Sequence, residues 1–254
     1  MLTAKRFVVG AMLVTVLGLW IASTAATGAA VSTPDCPRQR DACVDRLLGD
    51  MQRNLDRLGC RHNAAFALLY LRTTEGMRDA NNDGEFSDPQ FWDTEVIPTF
   101  ADYYLDAYAA WQRGDLREVD PAWRIAFRAK PDRLNCTQLI YLGINAHINN
   151  DLAFMIEDMG ARYTYPDHKH VDDVLAFRTR PVVYPEIQRE LCPGLFSEVV
   201  PPTADLDIFA WRELAWDNAQ RLLHAPTAKA RDKIAKEIRQ HAKDKAREIL
   251  RWYR

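Results

Sequence analysis

A histidine and an aspartate one helical turn apart, His147 and Asp151, have the spacing best suited to chemistry in this chain. They share a stripe with Ile140, Ile144 and Phe154, at alternating intervals of four and three residues, which is the repeat of one helix face. The rest of the stripe is apolar, so the sequence predicts that both polar side chains are buried. Burying an imidazole and a carboxylate is costly unless they are paired or bind a metal.

One hypothesis for this pair is a metal-dependent hydrolase. An imidazole and a carboxylate at positions i and i+4 can hold one divalent cation, zinc or similar, and His147 and Asp151 are the first predicted ligands. Further ligands are expected from Asp102, His170 or Asp173. The metal would supply a nucleophilic water for attack on a small-molecule or lipid-like substrate, with His147, Asp151 and Asp102 as catalytic residues.

The alternative is that the pair serves packing alone, held by Asn145, Asn149 or Asn150. The protein would then be a non-enzymatic extracellular binding protein, with residues 161–204 as its recognition surface. The sequence leaves both interpretations open.

Oxygen-bearing side chains alternate through a polar stretch that follows the second predicted helix. Asp79, Asn81 and Asp83 match positions 1, 3 and 5 of a calcium-binding loop, with a glycine at its sixth position, and Glu85 is a further candidate ligand. The twelfth position is Gln90 instead of the bidentate glutamate. The pattern predicts a weak Ca²⁺ site, and a solvated turn is the alternative.

The first thirty residues have the order of a secretory signal peptide. A basic pair precedes an apolar run over 7–22, and small residues follow over 23–30. We expect cleavage after Ala26 or Ala30 and a secreted or extracytoplasmic protein. The alternative is an uncleaved segment that anchors the chain, which would be its only attachment to a membrane.

Composition and charge narrow the class of partner. The formal charge is −2, and loss of the two basic residues of the leader lowers it to −4. A mildly acidic chain does not hold a polyanion by bulk charge, so the composition argues against nucleic acid as a partner. The remaining residues, about 224, can form one domain with a sizeable core. The sequence does not indicate an oligomeric state.

All five cysteines follow the leader, in a chain expected to reach an oxidising compartment. The pairings that we expect are Cys36–Cys43, which closes a short loop, and Cys136–Cys192, which joins the central helix to the late loop. One cysteine, Cys60, is left over.

Apolar residues recur at helical spacing through most of the chain, and clear two-residue alternation is absent. The sequence therefore predicts an all-α, single-domain bundle of about seven helices over 31–225. A C-terminal amphipathic helix over 226–254 is expected to pack on it. Prolines break the pattern in 161–204, where an irregular loop region with one short helix around 171–179 is predicted, and Pro98 is expected to kink or restart the third helix.

Three segments, 68–77, 99–111 and 142–158, resemble a bacterial family known only as a domain of unknown function. The most specific is the core motif Asn-Ala-His-Ile-Asn-x-Asp-Leu, which begins at Asn145. The resemblance covers about 60–225 and implies an all-helical domain. It carries no assigned reaction, and so it implies no catalytic role. The chain departs from the family in its signal peptide, its cysteines and its 79–86 loop.

Overall fold

The computed structural model describes residues 43–59, 61–130, 134–190 and 204–252, and the leader lies outside these ranges. Every regular element within them is helical, which confirms the all-α prediction. The eight continuous helices of the described residues are α1 Cys43–Leu58, α2 Ala64–Asn82, α3 89–113, α4 Pro121–Arg128, α5 136–159, α6 165–190, α7 Ala204–Leu223 and α8 Ala228–Ile249.

Helix α5 is the centre of the bundle. It consists of Cys136–Asn145, a π-helical segment Ala146–Asp151 and Leu152–Met159. The helix begins at a capping box, in which the side chain of Asn135 accepts from the Gln138 backbone N–H and the Gln138 side chain accepts in return. All residues from 136 to 156 are buried, because the other helices surround α5.

Four helices, α2, α4, α7 and α8, supply most of this cover. Helix α2 packs along the first part of α5, and α7 packs along its last part. Helix α8 crosses both α4 and the π-helical segment of α5. The side chain of Thr227 caps α8 by accepting from the Ala230 N–H, and small and aliphatic residues from Ala235 to Ile249 form its buried face.

Within helix α3 a new α-helical part, Ile97–Arg113, begins one residue before Pro98, which agrees with the predicted restart at this proline. The segment Trp92–Val96 before the proline is π-helical, and the N–H of Ile97 donates to the carbonyl of Trp92, five residues back. The wider turn accommodates a residue that has no N–H to donate and whose ring crowds the preceding turn.

Residues 165–190 form α6, so the helix predicted around 171–179 is present but longer, and the irregular structure expected beside it is wrong over these residues. Thr164 caps the helix, and Pro166 occupies its first turn, where the missing N–H costs nothing. A π-helical segment, Val174–Thr179, again precedes a proline, Pro181. A π-helical segment therefore precedes the proline in α6 as it does in α3.

The structure tests one of the two predicted disulfides. Cys136 is a free, buried thiol, so the predicted Cys136–Cys192 disulfide is wrong. The Cys36–Cys43 pairing involves a residue outside the described ranges and stays a prediction.

Within the described part of the chain, no helix combines the length and the apolar character needed to cross a membrane.

Candidate functional site

A cavity of about 150 Å³ lies between α2, α3, α5, α6 and α7. Its walls are mostly aliphatic and aromatic, and include Met77, Phe100, Ile148, Leu152, Leu175 and Val183. His147 is one of the few polar residues in the lining. His147, the histidine identified from the sequence, therefore lies in the wall of an apolar cavity.

His147 and Asp151 form a buried pair. Nδ1 of His147 lies 3.1 Å from Oδ2 of Asp151, and the two side chains are 4 % and 1 % exposed. Both lie in the π-helical segment of α5, a type of irregularity that is frequent at functional sites. The burial and pairing expected from the sequence are confirmed.

The carboxylate of Asp151 receives further donors. The indole Nε1 of Trp123 donates to Oδ2 over 2.8 Å, and Nδ2 of Asn150 donates to Oδ1 over 2.8 Å. Together with His147, these groups direct N–H bonds at both oxygens. Such bonds stabilise a buried carboxylate that burial alone would penalise.

A polar chain continues from this carboxylate towards the surface. Nδ2 of Asn150 also donates to Oδ2 of Asp120 over 3.0 Å. The other oxygen of Asp120 accepts from Nε of Arg239 on α8 over 2.9 Å. Through these contacts α8 helps to fix the amide that orients Asp151.

Aromatic rings enclose the imidazole. Phe100 stacks on it with the ring centroids 3.7 Å apart and an interplanar angle of 11°. Tyr70 meets it edge to face at 4.5 Å, and Phe66 and Trp123 lie about 6 Å away. This packing keeps bulk water from the ring and fixes its orientation.

Burial determines the protonation of the pair. It lowers the pKa of His147, although Asp151 opposes the shift, so the imidazole is neutral at neutral pH. Burial raises the pKa of Asp151, and the bonds from His147, Asn150 and Trp123 counteract that shift. Since donors surround the carboxylate, we place the imidazole proton on Nδ1, which leaves a lone pair on Nε2.

Nε2 of His147 is buried and has no hydrogen-bond partner among the described residues. The same holds for Oγ1 of Thr179, a second residue of the cavity wall, on α6. A buried polar atom without a partner is uncommon in folded proteins and is a candidate for contact with a ligand.

The guanidinium of Arg212, one of two arginines in the cavity lining, is paired with a carboxylate. Arg212, 2 % exposed, donates from Nε to Asp172 over 2.6 Å and from Nη2 to the carbonyl of His168. Asp172 also accepts from Lys169 over 2.6 Å. The guanidinium of Arg212 therefore does not present an unpaired charge to the cavity.

The predicted metal ligands are not gathered into one group. His170 pairs with Glu85 over 2.7 Å and lies 3.8 Å from Asp173, in a partly exposed cluster that does not line the cavity. Within the described ranges, no three histidine, cysteine or acidic side chains are placed to hold a metal ion. The structure thus brings His147 and Asp151 together, but not the four predicted ligands.

Asp102, the third predicted catalytic residue, is half-buried on α3 near this site. Burial, and then the charges of Asp151 and Asp102, raise the pKa of Tyr70 well above its usual value. Asp102 and Asp151 thus both act electrostatically on the tyrosine that packs against His147.

The predicted calcium loop has a different conformation and other partners. Residues 79–82 belong to α2, and the side chain of Asn81 donates to the carbonyl of Pro89 over 2.9 Å. Asp79 pairs with Arg78, and the guanidinium of Arg178 bridges Asp83 and Glu85. These contacts give the acidic groups protein partners, and calcium binding stays a prediction.

Sequence reasoning missed Trp123, Thr179 and Arg212. Trp123 stands 28 residues before Asp151, in a short helix with no polar pattern that marks its indole as a donor. Thr179 ends the short helix predicted around 171–179, and Arg212 lies beyond the region that was expected to be irregular. No local signal in the sequence connects any of them with His147.

The comparison with protein families gives one result. A model described as a family of unknown function, DUF5995, matches residues 44–252, and the chain belongs to this family. The resemblance drawn from the core motif is thereby supported at the level of the family. Neither the curated proteins nor the solved structures contain a match to the chain.

Proposed function

We propose that this protein binds a small, predominantly apolar molecule in the cavity beside His147. The observation that carries the proposal is an apolar chamber of about 150 Å³ whose wall contains a buried imidazole nitrogen without a partner. Ligand sites in proteins are typically apolar cavities with a few placed polar groups.

The size of the cavity supports a compact ligand. An apolar cavity of about this volume accepts a molecule of the size of benzene. The aromatic rings of Tyr70 and Phe100 and the side chains of Leu152 and Leu175 offer flat and aliphatic surfaces to such a molecule.

The test is binding of toluene, measured by calorimetry and by the shift in melting temperature. Ala176 lines the cavity and is half-buried, so Ala176→Leu should fill part of the space and weaken binding at least tenfold. Ala228→Leu on the exposed first turn of α8 is the matched control and should leave binding unchanged.

Saturable binding that Ala176→Leu weakens and Ala228→Leu does not would support the proposal. Absence of binding to the wild-type protein, or equal binding to all three proteins, would refute it.

A second candidate function, hydrolysis, is favoured by the geometry of the pair itself. An aspartate that holds Nδ1–H leaves Nε2 able to take a proton from a water molecule or a hydroxyl group. Its test is hydrolysis of 4-nitrophenyl butyrate, with and without added zinc. Activity that His147→Phe abolishes would support catalysis, and equal rates for both proteins would refute it.

A further inference from the structure

We infer that the ligand of the cavity carries a neutral O–H or N–H group that donates a hydrogen bond to Nε2 of His147. This inference rests on the proposed function and names the class of ligand: small hydroxyl-bearing hydrophobic compounds, of which phenol is the simplest aromatic example.

The tautomer of His147 decides that the ligand must be a donor. Oδ2 of Asp151 already accepts from Trp123, and its other oxygen accepts from Asn150. The carboxylate is therefore the acceptor for Nδ1–H, and a neutral imidazole has only one N–H. Nε2 is left as an acceptor, and only a donor can satisfy it.

The residues around His147 provide no hydrogen-bond donor for Nε2 within the described part of the chain. Phe100 covers one face of the ring, and the edge of Tyr70 approaches it at 4.5 Å. Nε2 is buried and lacks a partner among the described residues, in a side chain that is 4 % exposed. A buried acceptor without a bond is costly, so a donor brought by the ligand gains more here than in water.

The charges around the cavity favour a neutral ligand. The guanidinium of Arg212 is compensated by Asp172, which Lys169 also contacts. Arg180, also in the lining, is exposed, so its charge is hydrated, and it has an interaction of its own. An ionised carboxylate or ammonium would therefore lose its hydration without gaining an open partner charge.

The experiment compares phenol, toluene and benzoate as probes of the wild-type protein by calorimetry. Phenol and toluene have similar size, and only phenol has a donor. One hydrogen bond to a buried acceptor should make phenol bind about tenfold more tightly than toluene. Benzoate should bind more weakly than either.

Nitrogen-15 NMR of the imidazole rings supplies a measurement that needs no variant. Addition of phenol should shift the Nε2 resonance of His147, whereas toluene should leave it nearly unchanged. His168 is an internal reference. Its Nε2 is also buried and has no hydrogen-bond partner among the described residues, but His168 does not line the cavity. Its resonance should not respond to either probe.

The matched variants are His147→Phe and His168→Phe, which make the same change inside and outside the cavity. His147→Phe should abolish the preference for phenol over toluene, and His168→Phe should preserve it. If His147→Phe does not fold, the nitrogen-15 measurement on the wild-type protein decides.

The outcomes separate this inference from the proposed function. Equal affinities for phenol and toluene with no shift at Nε2 would overturn the inference and leave the cavity as an apolar binding site. Tightest binding of benzoate would overturn it in favour of recognition by arginine. Failure of all three probes to bind would overturn both proposals.

Discussion

The indole nitrogen of Trp123 donates to Oδ2 of Asp151 over 2.8 Å, and both residues are 1 % exposed. This bond joins the short helix α4 to the π-helical segment of α5. The same oxygen also lies 3.1 Å from Nδ1 of His147. The orientation of the histidine beside the cavity therefore depends on a helix that contributes little else to the site.

Trp123→Phe removes this donor from a buried carboxylate. Hydrogen bonds to charged groups are the stronger ones, and we expect the free energy of unfolding to fall by about 2–3 kcal/mol. Urea denaturation measures the change. Trp111→Phe is the control, since Trp111 is half-buried, stacks near Arg128 and has no bond to the pair. Equal losses in the two variants would contradict the role given to the indole.

Gly143→Ala tests the close packing behind the site. A Cβ atom at Gly143 would lie 2.3 Å from Cδ2 of Phe66, which packs beside His147. The ring must move, and overpacking of this kind costs about 1–3 kcal/mol. Thermal and urea denaturation should both show the loss.

Gly49→Ala provides the opposite case on helix α1. Its Cβ would meet only the end of the Arg53 side chain, at 3.4 Å. Because alanine favours a helix over glycine, this variant should gain up to about 1 kcal/mol. A destabilised Gly49→Ala, or a neutral Gly143→Ala, would show that the packing is different from that described.

The central helix could be predicted because its evidence is local. The interval from His147 to Asp151 and the apolar residues around it identify a buried helix face without knowledge of any other segment. The partners of the pair could not be predicted in this way. Trp123 and Phe100 reach His147 only after the helices pack, and their own segments look like ordinary apolar helix faces.

The predictions that are wrong concern features that the spacing of residue types along the chain does not specify. Pro181 is predicted to interrupt the helical pattern, but it follows a π-helical turn that absorbs the missing donor. Two acidic residues of the predicted calcium loop, Asp83 and Glu85, pair with Arg178, more than 90 residues away. The spacing of residues along the chain does not indicate that partner.

Buried histidine should make stability depend on pH. Burial lowers the pKa of His168 to about 2, whereas the ordinary value is near 6.5. Between these values the unfolded chain binds the proton and the folded chain does not. The free energy of unfolding is therefore fully retained above pH 6.5 and falls as the pH decreases below it.

His168→Phe isolates this contribution. From pH 7 to pH 5 the wild-type protein should lose about 2 kcal/mol more than the variant, at about 1.4 kcal/mol per unit below 6.5. Urea denaturation at both pH values measures the difference. Parallel losses in the two proteins would mean that His168 does not remain neutral in the folded state.

The leader gives a prediction that depends on the sequence alone. Secretion with cleavage should yield a mature chain that begins after Ala26 or Ala30. Mass spectrometry of the protein exported by a bacterial host measures the N-terminus. A full-length chain retained in the membrane fraction would indicate an uncleaved anchor instead.

The most direct test of the central claim is methyl NMR of the wild-type protein during addition of toluene. Methyl groups that line the cavity, on Leu152, Leu175 and Val183, should shift and saturate together. Leu47 and Ile249 are fully buried elsewhere in the core and should not respond. Shifts confined to the cavity residues are the predicted result. No shifts, or equal shifts at Leu47 and Ile249, would contradict a binding cavity beside His147.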